Sequence, residues 1–115
     1  MDFTDATLPI MQYLSGFEEF KSVRAYKIYS SYPLPCLMVR QTGSTTIQLL
    51  VRADSDIEAL NLLQMVGNDL KRNFAGVDGI NILDIDFQST PLPDIDEDTG
   101  KYEAWCYMNI KYFES

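Results

Sequence analysis

Histidine is absent from the 115 residues. Its absence removes the commonest general base and the commonest metal ligand. Cysteine occurs only twice, at Cys36 and Cys106. Two cysteines so far apart build neither a disulfide framework nor a zinc cluster. No apolar run approaches the roughly 20 residues of a membrane span, so no membrane partner is expected. The opening MDFTDATLPI carries acids where an export signal needs bases, so export is not expected. Basic residues are scarce: nine Lys+Arg against 17 Asp+Glu give a net charge of −8. A surface that acidic disfavours wrapping nucleic acid or anionic membrane. Gly76-Val77-Asp78-Gly79 follows a helical pattern instead of preceding one, so it lacks the positive dipole end that a phosphate loop uses. These absences argue against catalysis and against DNA binding.

What is present is ordinary globular material. Hydrophobic residues make up 46% and charged residues 23%, which places the chain among folded proteins. Its length fits one domain over residues 1–115 with a single core. The charge is uneven. Between Lys21 and Arg52 lie five bases and no acid, whereas Asp78 to Ser115 holds nine acids and two bases. The chain therefore has a basic middle segment and an acidic C-terminal third.

Hydrophobic periodicity predicts a helix over 8–20, with Asp5 or Thr7 as its cap and Ile10, Tyr13, Leu14, Phe17 and Phe20 on one stripe. Strands are predicted over 23–29, 36–41 and 45–52, joined by SYPLP and by Thr42-Gly43-Ser44. Short connections favour antiparallel neighbours, so these three read as a meander. A second helix starts after Asp54 or Ser55, with Ala59, Leu60, Leu63, Val66, Gly67, Leu70 and Phe74 on one stripe. Two further strands follow. In 81–88, Leu83, Ile85 and Phe87 alternate with Asp84, Asp86 and Gln88. In 102–113, Ala104, Cys106, Met108, Ile110 and Tyr112 alternate with polar and aromatic residues. The connector Thr90–Gly100, with PDIDED at its centre, reads as a mobile acidic loop. The expected class is α/β of the α+β kind, in the order α-β-β-β-α-β-β. A single mixed or antiparallel sheet would carry both helices on one face.

Each chemical motif has a plain alternative. Asp94-x-Asp96-x-Asp98 resembles the start of a calcium loop, but the sixth and twelfth positions hold Thr99 and Trp105 where glycine and a bidentate acid are needed. It reads as a solvated acidic loop. Asp84 and Asp86 are paired carboxylates without an accompanying nucleophile, and read as a solvated strand face. Cys36 and Cys106 fall within strand patterns and read as small buried hydrophobes. No cofactor is implied. The five bases of 21–52, Arg24, Lys27 and Arg40 among them, are interleaved with tyrosines as in a nucleic-acid patch, but against a net charge of −8 they read as a solvated strand face or a contact to an acidic protein surface. Leu62 and Met65 fall outside the stripe of the second helix. With Trp105 and Tyr107 on the second face of the final strand, they hint at a partner surface.

The ordering of segments resembles a known family. An N-terminal helix leads to LPCLMVRQ, and a strand runs into RADSDIEALNLLQMV. Ser89-Thr90-Pro91 then precedes the acidic DEDTG and an aromatic strand WCYMNIKYF. Over roughly residues 5–113 this is similar to the minor capsid or tail terminator proteins of long-tailed bacteriophages and prophages, also called tail completion or head–tail joining proteins. The resemblance implies a small α/β structural protein of the virion, assembled in the host cytoplasm, with no catalytic residues. It implies a homo-oligomer, a hexameric ring, that caps the tail tube protein and meets a head completion or connector protein. DNA would pass through the ring without specific binding. On that reading the interface candidates are Arg24, Lys27, Arg40, Leu62, Met65, Asp96, Glu97, Asp98, Trp105 and Tyr107. The alternatives are a head-completion adaptor on the portal side, a small interaction domain outside phage biology, or an enzyme acting through Asp84 and Asp86.

Overall fold

The computed structural model describes residues 5–113. Two helices and a six-stranded mixed sheet make an α+β fold in the expected order, with one added strand inside the connector. The elements are α1 (Thr7–Leu14), β1 (Ser22–Ala25), β2 (Cys36–Gly43), β3 (Thr46–Ala53), α2 (Asp56–Asn73), β4 (Asn81–Phe87), β5 (Leu92–Ile95) and β6 (Tyr102–Phe113). The strands lie in the order β1-β2-β3-β6-β4, and β5 pairs with β6 on the side that β4 occupies further along.

Helix α2 forms where capping and periodicity agree. The Ser55 hydroxyl accepts the Glu58 amide at 3.1 Å, which satisfies one of the free donors of the first turn. Asp56 and Glu58 sit at its positive end, and Lys71 and Arg72 at its negative end. Ala59, Leu63, Val66, Gly67 and Leu70 are buried, and Leu60 and Phe74 are partly buried. Helix α1 is shorter than its apolar stripe. It stops at Leu14, where Ser15 turns its hydroxyl onto the Gln12 carbonyl and Gly16 follows. Phe20 nevertheless reaches the core through a turned segment.

Both helices cover one sheet face. Ile10 and Leu14 of α1 and the stripe of α2 pack on Leu37, Val39, Leu49, Val51, Cys106, Met108 and Ile110. The side chain of Gln41 ties distant parts of this layer together. Its Oε1 accepts from the Ala6 amide at 2.7 Å, and its Nε2 donates to the Tyr112 hydroxyl at 2.9 Å.

Three expectations about the strands and their connections are also corrected. First, β1 ends at Ala25 and runs parallel to β2, from Ser22 opposite Cys36 to Ala25 opposite Val39. Tyr26 leaves the strand with φ 73°, and the proline-bearing stretch 26–35 carries the chain back to the start of β2. Only β2 and β3 form the antiparallel hairpin that the meander required. Second, Leu83 is exposed, because a bulge between Ile82 and Asp84 shifts the alternation and buries Ile82 instead. Third, the connector is not structureless. Residues 92–95 form β5, paired antiparallel with β6 from Leu92 opposite Trp105 to Ile95 opposite Tyr102.

Candidate functional site

Among the described residues no helix covers the second sheet face, and the register sets its rows. Across one row stand Arg24, Met38, Leu50, Trp105 and Leu92. A second row holds Cys36, Arg52, Glu103 and Asp94, and a third Arg40, Gln48 and Tyr107. Period-two alternation alone puts these residues opposite the core. The face is neither a core nor an ordinary solvated surface: Met38, Gln48, Arg52 and Glu103 are buried, and Leu50, Trp105 and Tyr107 are half-buried.

Polar groups on the face are held in fixed positions. Arg52 Nε donates to Glu103 Oε2 at 2.9 Å, and a terminal nitrogen of the guanidinium stands 2.8 Å from the same oxygen, an ion pair within a nearly closed environment. The same guanidinium lies 3.7 Å from Asp96. Arg40 Nε donates to Gln48 Oε1 at 2.7 Å. Trp105 and Tyr107 meet edge to face at 5.5 Å, and Arg24 lies over the Tyr32 ring at 4.4 Å. The returning segment folds its start against the face. Tyr26, Lys27 and Ile28 form one bank of a groove whose floor is Met38, Gln48 and Leu50, with Arg40 on its rim. The groove measures about 270 Å³.

At the other lateral side, the β5–β6 hairpin carries the acidic residues. The Asp96 amide donates to the Lys101 carbonyl at 2.8 Å, and Gly100 closes the turn with φ 71°, a conformation that glycine adopts freely. The Asp96 carboxylate accepts from the Thr99 hydroxyl at 2.6 Å and from its amide at 3.0 Å. The Thr99 hydroxyl bond is the main influence holding the Asp96 pKa below the usual value, and Arg52 adds to it. Asp94, Glu97 and Asp98 remain exposed.

The ten interface candidates thus separate. Arg24, Lys27, Arg40, Trp105 and Tyr107 share the open face, and Asp96 joins it through Arg52. Glu97 and Asp98 project at the hairpin tip. Leu62 and Met65 do not belong with them: both sit on α2, half-buried and packed against the core on the other side of the sheet. Their helical angle lies off the main stripe, yet they pack against the core as well. Asp84 and Asp86 are exposed on the edge strand, Asp86 lying 3.3 Å from Lys71. Backbone hydrogen bonding from Phe87 is the leading cause of its lowered pKa. Both thiols are buried, and burial pushes Cys106 up to about 12. Among the described residues, no three His, Cys, Asp or Glu side chains converge as metal ligands, and no helix is long and apolar enough to cross a membrane.

Sequence reasoning undervalued Arg52 and Glu103. Arg52 counted only as one base among five and Glu103 only as one polar strand residue. The signal was available in part, since both stand at outward positions of strands whose neighbours are apolar. Their pairing depends on the β3–β6 register, which sequence alone does not specify. The chain matches no family model and no curated protein.

Proposed function

We propose that this chain is a structural assembly subunit, a tail terminator that closes as a ring on the end of a phage tail tube and offers its other rim to the head connector. The observation that carries the reading is the polarity of the open face. Its β1–β3 half presents Arg24, Lys27 and Arg40, and its β5–β6 half presents Asp94, Glu97 and Asp98. Two unlike patches on one subunit favour head-to-tail contacts, and such contacts close into rings when the rotation between subunits allows it. A net charge of −8 suits a channel that lets DNA pass without gripping the phosphates.

The test is assembly. Native mass spectrometry of the purified chain, alone and with a phage tail tube protein, should give a species of about six subunits. Added in excess, the chain should shorten tubes growing from that tube protein. A chain that stays monomeric under both conditions and leaves tube length unchanged overturns the proposal.

A further inference from the structure

β1, at one end of the sheet, pairs with β2 alone, and β4, at the other end, pairs with β6 alone. Hydrogen bonding fixes which backbone groups each edge turns outward. The Ser22 amide donates to the Pro35 carbonyl and the Tyr26 amide to the Val39 carbonyl. Alternate residues of a ladder bond the same neighbour, so Ser22, Arg24 and Tyr26 face β2, and Val23 and Ala25 face away. The Ala25 carbonyl is taken by the Lys27 amide at 2.9 Å, which leaves Val23 with both its N–H and its C=O open. At the other edge the Gln88 amide donates to the Tyr107 carbonyl, so Asp86 and Gln88 face β6, and Ile85 and Phe87 face away. Phe87 already gives its amide to the Asp86 carboxylate at 2.7 Å. Past the bulge of β4, Ile85 is therefore the residue with both backbone groups open.

The two edges match in charge, face and direction. Arg24 on β1 and Asp84 on β4 are exposed, and among the described residues neither makes an ion pair. Arg24 stands opposite Met38 and Asp84 opposite Lys111, which puts both on the open face. Val23, opposite Leu37, and Ile85, opposite Ile110, both lie on the helix-covered face. β1 runs parallel to β2, and each later step across the sheet, to β3, to β6 and to β4, is antiparallel, so β4 runs against β1. A second copy set beside the first, its open face on the same side, thus presents β4 antiparallel to β1.

We propose that β4 of one copy pairs antiparallel with β1 of the next, Ile85 opposite Val23, so that one sheet continues from subunit to subunit. In this register Ile85 and Val23 exchange two backbone hydrogen bonds. The neighbouring pair is Asp84 opposite Arg24, opposite charges side by side on the open face. Leu83, 60% exposed in the single chain, comes to lie by Ala25 and gains cover. Two β4 edges repel through Asp84 and Asp86, and two β1 edges through Arg24, so the unlike pairing is favoured over either symmetric one. The occupant of each edge is a second copy of this chain. The contact joins different surfaces and propagates head to tail. It deepens the ring reading and rests on it.

Three variants of the full chain test the joint. Arg24→Glu and Asp84→Arg each set like charges against one another, so sedimentation velocity at low salt should show self-association weakened by about tenfold, and an equimolar mixture should regain it. Val23→Pro removes an outward N–H that no bond within the sheet uses, so the chain should fold by circular dichroism and associate about tenfold more weakly. As a further measurement, Arg24→Cys with Asp84→Cys in one chain should give, on mild oxidation, a ladder of disulfide-linked oligomers. The two positions lie about four strand spacings or ~19 Å apart within one chain, so such a disulfide joins two copies. A mixture that fails to recover, or a double-cysteine chain that gives no ladder, overturns the joint. If the parent forms sixfold rings that the charge variants and Val23→Pro leave intact, this contact is wrong and the ring reading survives. If the parent never associates, with or without tail tube protein, both fall.

Discussion

The ring of Phe87 fills the space beside the Gly67 Cα that any side chain there would need. Gly67 is buried in the middle of α2, where glycine normally costs about 1 kcal/mol relative to alanine. The cost is accepted because β4 approaches the helix closely at that point. Gly67→Ala should therefore destabilise by about 1–2 kcal/mol, overpacking outweighing the gain in helix propensity. In a Phe87→Ala background, the same substitution should stabilise by up to about 1 kcal/mol. Urea titrations of the four proteins check the reversal, and a Gly67→Ala chain more stable than the parent would refute it.

Arg52 and Glu103 should be worth more as a pair than either alone would suggest. Each side chain is 11% exposed, so removing one partner strands a nearly buried charge. Arg52→Met or Glu103→Leu alone should cost about 3 kcal/mol, whereas the double substitution should fall within about 1 kcal/mol of the parent. A double-mutant cycle by chemical denaturation reads the coupling, and additive losses would show that the pair contributes nothing as a pair.

Alkaline pH should weaken the fold in two stages. Burial raises Cys106 from 9.0 to about 12, and burial together with the Asp69 hydrogen bond raises Tyr13 from 10.0 to about 12. In both cases the unfolded chain loses its proton first. Stability is therefore fully present below pH 9 and falls as pH climbs toward 12. Burial also raises the Cys36 thiol, so Cys106→Ala should remove part of the early decline and Tyr13→Phe should reduce the part above pH 10. Melting curves from pH 8 to 11 measure it. A flat parent profile would contradict the burial of both groups.

Replacing Pro91–Gly100 with a short Gly/Ser linker removes β5 from β6 and Asp96 from Arg52. The melting temperature should fall by about 5–10 °C, the size expected when a domain of this length loses one or two kcal/mol. Calorimetry decides it, and an unchanged transition would mean that the added strand contributes nothing to the fold.

How far the fold was legible varied with the kind of signal. Helix α2 and strand β6 were readable because their periodicity is strong and local, and Ser55 marks the helix start. The class, the element order and the shared helix face followed from those patterns. The parallel pairing of β1 was not readable, because nothing local distinguishes a returning segment such as 26–35 from a hairpin loop. β5 hid behind two prolines and a run of acids. Its strand geometry is set by its partner, since Pro93 at an edge lacks only a donor that the sheet there does without. On the open face, Arg24, Lys27, Arg40, Trp105 and Tyr107 were foreseeable from charge and alternation. The groove required knowing where Tyr26, Lys27 and Ile28 fold back.

The position of β6 constrains how the protein is made. It pairs with β3 along one side and with β4 and β5 along the other, yet it emerges from the ribosome after all three. Until it emerges, β4 and β5 have no hydrogen-bonding neighbour, and the amide of Gln41 cannot reach the Tyr112 hydroxyl. A nascent chain lacking β6 can hold β1, β2 and β3 as half of the sheet, with β4 and β5 left unpaired. Ribosomes stalled before codon 102 should present a protease-sensitive chain, and resistance should arise in one step once β6 has cleared the exit tunnel.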